Sequence, residues 1–450
     1  MSKSVPPFAR SIIIRLTSAI VTFALGVVLA RVLTPSELGK YGILFSIMSV
    51  LGLPLSTGIP NFLTQHIPKL SSASTRRREI YRASMFTAVL GVLYISLGVG
   101  LTLTEASLAD WEWGWLVVLG VAPLMGLDLI RGGGMAGLGL PNLSQIPAFI
   151  VRPFVALVVL ATFIYFGAPA SLGLALASYA AGCLVSLVVG HCLLLMVLNR
   201  QDATRLDADG SSDEPHTTFG QLARTIASFS LFGLAGTLTG NIDMLILNQV
   251  GDFSGAGSYR VALQGVAVIV LGHNAIGAVT YVQLAQSAAG RAAEDIAAVS
   301  DKSVLWQFVT TLPFIMAAIL LGKPLINILF GAEYSLAYSF LVILSVGHIA
   351  TISVGPSSHL VLLANRQLVG ATISLLAVMI TFVVAMFLYG SIGPVAVAYA
   401  SAAGAWVRAL GYWHIARATF GVDPSVYGLV KRRISASRRK IGDERESPRA

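Results

Sequence analysis

The chain has 450 residues, 55% hydrophobic and 11% charged, with a mean hydropathy of +0.78, which excludes an ordinary soluble globular domain. Its formal net charge of +9 needs no nucleic-acid partner, because basic loops on one side of a membrane and a basic tail account for it. The two cysteines, Cys183 and Cys192, fall on one predicted helix about 13 Å apart by helix rise, too far to bond to each other within it.

Apolar stretches long enough to cross a bilayer run near Ile12 to Leu33 and Tyr41 to Leu63, then centre near Leu93, Val118, Val158 and Val188. After a polar break they resume near Leu234, Ile269, Phe314, Ile343, Val378 and Val397, the last ending around Ala416. The expected fold is therefore an all-α polytopic membrane protein with about twelve spans. On that layout 26 of the 30 basic residues sit at one set of span ends. Arg31, Lys40, Arg260 and Lys323 sit at the other, where one loop carries Glu105, Asp110 and Glu112. The positive-inside rule places both termini in the cytoplasm. Arg15 within the first span, and no small-residue cleavage site after it, argue against a cleavable signal.

The stretch Asn199 to Gly220, with Asp202, Asp207, Asp209, Asp213 and Glu214 among small polar residues, reads as a cytoplasmic linker. It divides residues 1–198 and 221–418 into two six-helix lobes and leaves 419–450 as a basic tail. Leu38-Gly39-Lys40-Tyr41 and Ala256-Gly257-Ser258-Tyr259 occupy matching positions in the two lobes. Two lobes with an even number of spans each have the same orientation, so they are expected to be parallel repeats around a central cavity. Abundant Gly, Ala and Ser suit close helix packing in lipid. Pro54, Pro60, Pro123, Pro153 and Pro313 each remove a helical hydrogen bond and invite a kink.

Catalytic signatures are missing. Gly132, Gly134 and Gly137 spell a dinucleotide fingerprint but follow a membrane helix with no strand. There is no nucleotide-binding loop of the Walker type and no zinc-binding pair of His or Cys. Asp207, Asp209 and Gly210 have the wrong spacing for a calcium loop. The chain is therefore not expected to be an enzyme, nor to hold a cofactor or metal.

The run Ala30-Arg31-Val32-Leu33-Thr34-Pro35-Ser36-Glu37-Leu38-Gly39-Lys40-Tyr41-Gly42 resembles the signature of bacterial polysaccharide-transporter flippases. The likeness extends to Arg131-Gly132, Gly137-Leu138 and Arg152-Pro153, to Ile242-Asp243-Met244 with Ala256 to Tyr259, and to Leu329-Phe330-Gly331-Ala332-Glu333-Tyr334. It spans almost the whole chain. The superfamily also holds multidrug and toxin extrusion antiporters. The resemblance implies alternating access in the bacterial inner membrane and a polyprenyl-pyrophosphate-linked oligosaccharide as cargo, for O-antigen or another surface polysaccharide. It leaves room for partners among other polysaccharide-assembly membrane proteins. The alternatives are a drug or cation antiporter of the sister family and, less favoured because the outer loops are short, a membrane glycosyltransferase or polymerase.

Sugar and pyrophosphate cannot enter hydrocarbon unaided, so cations within the spans become the candidate substrate-binding groups: Arg15, Arg31, Arg260, Arg152 and Arg408. Arg15 and Arg31 rank first, because the resemblance implies a cavity lined by the first spans of each half. Asp243, the acid deep in the second half, is the candidate site for a coupling proton or sodium ion. His191, His273, His348 and His359 also fall in spans and read as neutral packing. In the tail, Asp423-Pro424 reads as a helix cap, and Val426, Leu429, Val430 and Ile434 share a face opposite Lys431, Arg432 and Arg433, which suits an interfacial helix on anionic lipid.

Overall fold

The computed structural model describes residues 7–53, 58–70, 72–104, 114–204, 219–289, 293–364 and 366–446. Within them the chain is built of helices and short connections, with no strand. The linker between 205 and 218 and the acidic loop with Glu105, Asp110 and Glu112 lie outside the described residues.

The helices are α1 (Pro7–Val32), α2 (Pro35–Leu51), α3 (Gly58–His66), α4 (Ala73–Thr104), α5 (Gly114–Gly137), α6 (Pro141–Ile146), α7 (Arg152–Tyr165) and α8 (Leu172–Thr204). They continue as α9 (Phe219–Gln249), α10 (Phe253–Ala289), α11 (Ala293–Leu329), α12 (Leu336–Ser353), α13 (Ser357–Leu363), α14 (Gln367–Ile392), α15 (Val395–Phe420) and α16 (Val426–Glu446). Taking α2 with α3, α6 with α7, and α12 with α13 as broken rods gives the twelve spans expected, in order. Eight stretches among the described residues meet length and apolarity criteria for crossing a membrane. Large apolar side chains lie open on the outside, among them Phe387 at 83%, Met85 at 71% and Leu320 at 70% exposed, as a lipid-facing surface requires.

The breaks follow the prolines only in part. The second span is not one continuous helix over Tyr41 to Leu63: α2 ends at Leu51 with Gly52 as its C-cap, α3 covers Gly58–His66 with Pro60 inside it, and Pro54 lies outside the described residues. In the fifth span, Pro147–Val151 forms a π-helical turn between α6 and α7, just before Pro153, which supplies no amide donor. Pro123 and Pro313 instead sit inside α5 and α11 without ending them.

Two compact units emerge from the packing: residues Met1–Gln264 with Ile326–Leu336, and Gly265–Leu325 with Ala337–Ala450. The first has an apolar core of Ile59, Leu63, Ile67, Ile80, Ile130, Met135, Leu194 and Leu198. In the second, Leu284, Ile296, Leu360 and Ala416 pack together.

Candidate functional site: a cavity and buried charges in the first unit

The signature at the end of α1 is a set of helix-end devices. Thr34 caps α2, accepting from the Glu37 amide at 3.3 Å, while the Glu37 carboxylate accepts from the Thr34 amide at 3.0 Å, a reciprocal capping box with Pro35 in the first turn. Arg31 is exposed. Its Nε donates to the Leu329 carbonyl at 2.8 Å and its Nη2 to that of Ile328, so it caps the carbonyl end of α11. Tyr334 does the same for α1, donating to the carbonyls of Ala30 at 3.2 Å and Leu33 at 3.3 Å. Burial, with Glu333 and Glu37 nearby, pushes the Tyr334 phenol above its usual range, so it remains a donor. Between α11 and Tyr334, Gly331 has φ +124°, a conformation open to glycine.

The paired glycines of the two matching motifs meet each other's helices. A Cβ on Gly39 would run into the Phe253 carbonyl and approach the Gly257 amide to 2.8 Å, and one on Gly257 would meet the backbone of Pro35. Here α2 and the start of α10 cross backbone to backbone. Tyr259, two residues past Gly257, is fully buried and donates to Asp243 at 2.7 Å. Asp243 is 5% exposed and thus held from α10 inside the unit.

A cavity of about 330 Å³ opens beside these elements. Its walls are Met48, Ser49 and Gly52 at the end of α2, Met125 and Leu129 of α5, and Gly236, Thr237, Gly240 and Asn241 of α9. Gly236 and Gly240 would meet nothing within 4 Å if they carried a Cβ, so they widen this space. One turn back along α2, Phe45 packs edge-on against Tyr179 at 5.5 Å, and the Tyr179 hydroxyl reaches the Met125 sulfur at 3.8 Å. The Arg260 guanidinium lies over the Phe45 ring at 4.8 Å, a cation–π contact. Arg260 thus stacks on a ring one turn along α2 from the cavity-lining Met48 and Ser49.

Behind that wall the candidate Arg152 joins a charge cluster with Asp128 and Arg131, neither of which sequence reasoning put forward as a site residue. Asp128 of α5 accepts through Oδ1 from Arg131 at 2.9 and 2.7 Å. Through Oδ2 it accepts from Arg152 at 2.6 Å and from Ser186 at 2.9 Å. Asp128 and Arg131 are 1% and 2% exposed and Arg152 8%. Two guanidiniums share one carboxylate, and the buried group retains one positive charge. Gly190 of α8 leaves the room that the Arg131 guanidinium fills. Asp128 and Arg131 have the i,i+3 spacing of a helical ion pair, which was the available signal.

The other candidates are dispersed. Arg15 is exposed on α1 near Ile13 and Leu16, themselves 55% and 47% exposed. Arg408 of α15 belongs to the second unit, where it is partly buried and within electrostatic range of His348. The tail helix α16 is anchored at its root. Asp423 accepts from Trp413 at 2.9 Å and from the Ser425 amide and hydroxyl at 3.0 and 2.6 Å. Burial raises its pKa, but those hydrogen bonds and the Arg417 charge outweigh it and hold Asp423 below the usual range. Arg432 pairs with Asp301 of α11. Leu429 is buried, whereas Tyr427, Val430 and Ile434 are 68%, 44% and 50% exposed beside exposed Lys431 and Arg433. Among the described residues no group of His, Cys, Asp and Glu is placed to hold a metal ion.

A family model described as polysaccharide biosynthesis protein matches residues 8–281. No curated protein sequence matches the chain. Among solved structures it is similar to an inward-facing multidrug resistance MATE family transporter of the MOP superfamily, with a TM-score of 0.69 at 16% identity over 91% of this chain and 98% of that one. The outward-facing form of such a transporter matches with a TM-score of 0.66 at 15% identity, covering 92% and 95%. A MOP superfamily transporter from Pyrococcus furiosus, described as having a binding pocket of reversed polarity that suggests a different function, matches with 0.65 at 16% identity over 92% and 95%. At these identities the likeness is one of fold.

Proposed function

Since the chain belongs to the polysaccharide biosynthesis protein family and has a MOP-type transporter fold, we propose that this multi-pass membrane protein flips polyprenyl-pyrophosphate-linked oligosaccharide across the bacterial inner membrane, with both termini in the cytoplasm. The observation that carries this reading is the sign of the charge around the cavity. Arg131, Arg152 and Arg260 outnumber the two buried carboxylates, Asp128 behind the α5 wall and Asp243 beside Asn241, by three to two. A positive surrounding attracts a pyrophosphate and repels a cationic drug. Ser49, Thr237 and Asn241 supply polar groups of the kind that hydrogen-bond sugar hydroxyls.

We rank Arg260 first as the group that meets the anionic head, ahead of Arg15 and Arg31, because it stacks on Phe45 one turn from the cavity-lining Met48 and Ser49 while Arg31 is occupied in capping α11. Arg152 and Arg131 act as a fixed positive field through Asp128. Asp243 remains the carboxylate proposed to carry a coupling ion, positioned by Tyr259. The exposed apolar and basic face of α16 suits anionic lipid at the cytoplasmic surface.

The test is reconstitution of the purified chain in vesicles containing a fluorescent polyprenyl-pyrophosphate oligosaccharide, with membrane-impermeant quenching to count the outer-leaflet fraction. Wild-type vesicles are expected to equilibrate the probe, Arg260→Ala to slow it strongly, and Arg260→Lys to retain part of the rate because point charge survives without the planar fork. Probe movement no faster than in protein-free vesicles would overturn the proposal.

A further inference from the structure

The contacts at the end of α1 join the first half of the chain to the second. Arg31 and Tyr334 exchange caps there. The last carbonyls of a helix have no donor within it. Those of α1 at Ala30 and Leu33 receive the Tyr334 hydroxyl, and those of α11 at Ile328 and Leu329 receive the Arg31 guanidinium. Behind the caps, Phe23 of α1 meets Phe330 edge-on at 6.0 Å, and Leu29, Ala30, Leu33 and Phe330 are buried. Beside them α2 crosses α10 at Gly39 and Gly257, and the Lys40 ammonium lies over the Phe253 ring at 5.2 Å. These residues all belong to the first unit, where they form one seam.

Two features let this seam part. Its caps end on carbonyl oxygens at helix ends, which water satisfies once the helices separate, so opening strands neither donor nor acceptor. Arg31 is already exposed. The closed seam also holds a polar atom unsatisfied. Gly26 leaves room on α1 for the Gln264 amide, and Gln264 Oε1 is buried without a hydrogen-bond partner. Burial in that state is unfavourable, and opening hydrates the amide. Along α2 the seam at Gly39 lies about 14 to 20 Å by helix rise from the cavity lining at Met48 to Gly52. The distribution of basic residues makes this the outer end of the bundle.

We propose that the exchanged caps, Arg31 on α11 and Tyr334 on α1, are the latch of a reversible gate that closes the outer entrance to the cavity of the first unit. The inference rests on the transporter fold and on the positive-inside topology, and it is independent of which cargo is carried. Gly39 and Gly257 set how closely α2 and α10 approach, and the caps hold α1 against the end of α11. Arg31 thereby acts on the position of the helices rather than on cargo. Removing the latch favours the open gate and leaves the Asp128 cluster intact, because the partners of that cluster lie on α5, α6, α7 and α8.

The test is thiol accessibility, with no cargo. A Cys192→Ser background keeps buried Cys183 as a control beside the Asp128 cluster, and Leu33→Cys places a reporter thiol in the seam. A membrane-impermeant maleimide is added outside intact cells, and labelling of each site is followed in time by mass. The reporter should label slowly in the otherwise unchanged chain and about tenfold faster with Arg31→Gln, which removes charge-assisted hydrogen bonds. Tyr334→Phe, which deletes one oxygen, should raise the rate by a smaller factor, since neutral hydrogen bonds are about half as strong. Cys183 should stay unlabelled in each. Reporter labelling that ignores both substitutions would overturn the gate, and so would Cys183 labelling that rises in step with the reporter, the mark of general loosening. Tyr334→Phe decides alone if Arg31→Gln does not reach the membrane. A latch that responds as expected in a chain that flips no glycan would leave the gate standing and overturn the cargo reading instead.

Discussion

Replacing Asp128 by Asn should be among the most damaging single changes in the first unit, because it keeps the shape and removes the one carboxylate that two buried guanidiniums share. Breaking a buried ion pair by removing one partner costs about 3–5 kcal/mol. Here both Arg131 and Arg152 are left uncompensated, so the upper end of that range applies. Arg131→Met is expected to be milder, since it leaves Asp128 and Arg152 as a neutral pair. The double variant should fall between them, a non-additivity that identifies a shared partner. Cys183, buried beside the cluster and within electrostatic range of Arg152 and Asp128, reports opening of this region. In a Cys192→Ser background, the rate at which a thiol reagent labels Cys183 should rise about a hundredfold or more for Asp128→Asn, since about 1.4 kcal/mol corresponds to a factor of ten. Equal rates for Asp128→Asn and Arg131→Met would refute the shared-carboxylate account.

Gly39→Ala and Gly257→Ala should each lower the thermal unfolding temperature in detergent, because each added methyl meets backbone rather than a movable side chain, and overpacking typically costs about 1–3 kcal/mol. Unchanged melting for both would mean that the helices part freely. Gradient-stimulated flipping in vesicles should disappear in Asp243→Asn if that carboxylate carries the ion, and ATP should have no direct effect; stimulation that survives returns Asp243 to its structural bond with Tyr259. Asp423 has a depressed pKa, so its contribution to anchoring α16 is full above the ordinary Asp value of 3.8 and is lost as pH falls through the lower folded value. Asp423→Asn should therefore expose the Lys431–Arg433 segment to trypsin at neutral pH, and equal cleavage of both proteins would refute the anchor. Topology is checked by an impermeant thiol reagent on intact cells. Cys at Ser254, which is exposed where Gly255 is buried, and at Asp110 should label, while Cys at Ser211 should not.

Much of the architecture was legible because lipid imposes one-dimensional rules: each span must be long, apolar and helical. Eight stretches among the described residues are long and apolar enough to span on those criteria, and the helices follow in the order expected from α1 over Pro7–Val32 to α15 ending at Phe420. Family signatures were legible as strings, but their purpose was not. Only the fold brings Gly39 to Phe253, Arg31 to the end of α11, and Tyr334 to the end of α1. The candidate site was legible in kind, as arginines within spans. A string of letters does not say which way a helix faces, so it could not tell Arg260 over Phe45 from Arg31 on a carbonyl. For the same reason Asp128 passed unnoticed. The sequence by itself determined the number, order and apolarity of the helices, because the bilayer acts on each segment separately. Which charges meet was decided only in the tertiary structure, because pairing Asp128 with Arg152 across 24 residues depends on helix rotation and packing that no local pattern encodes.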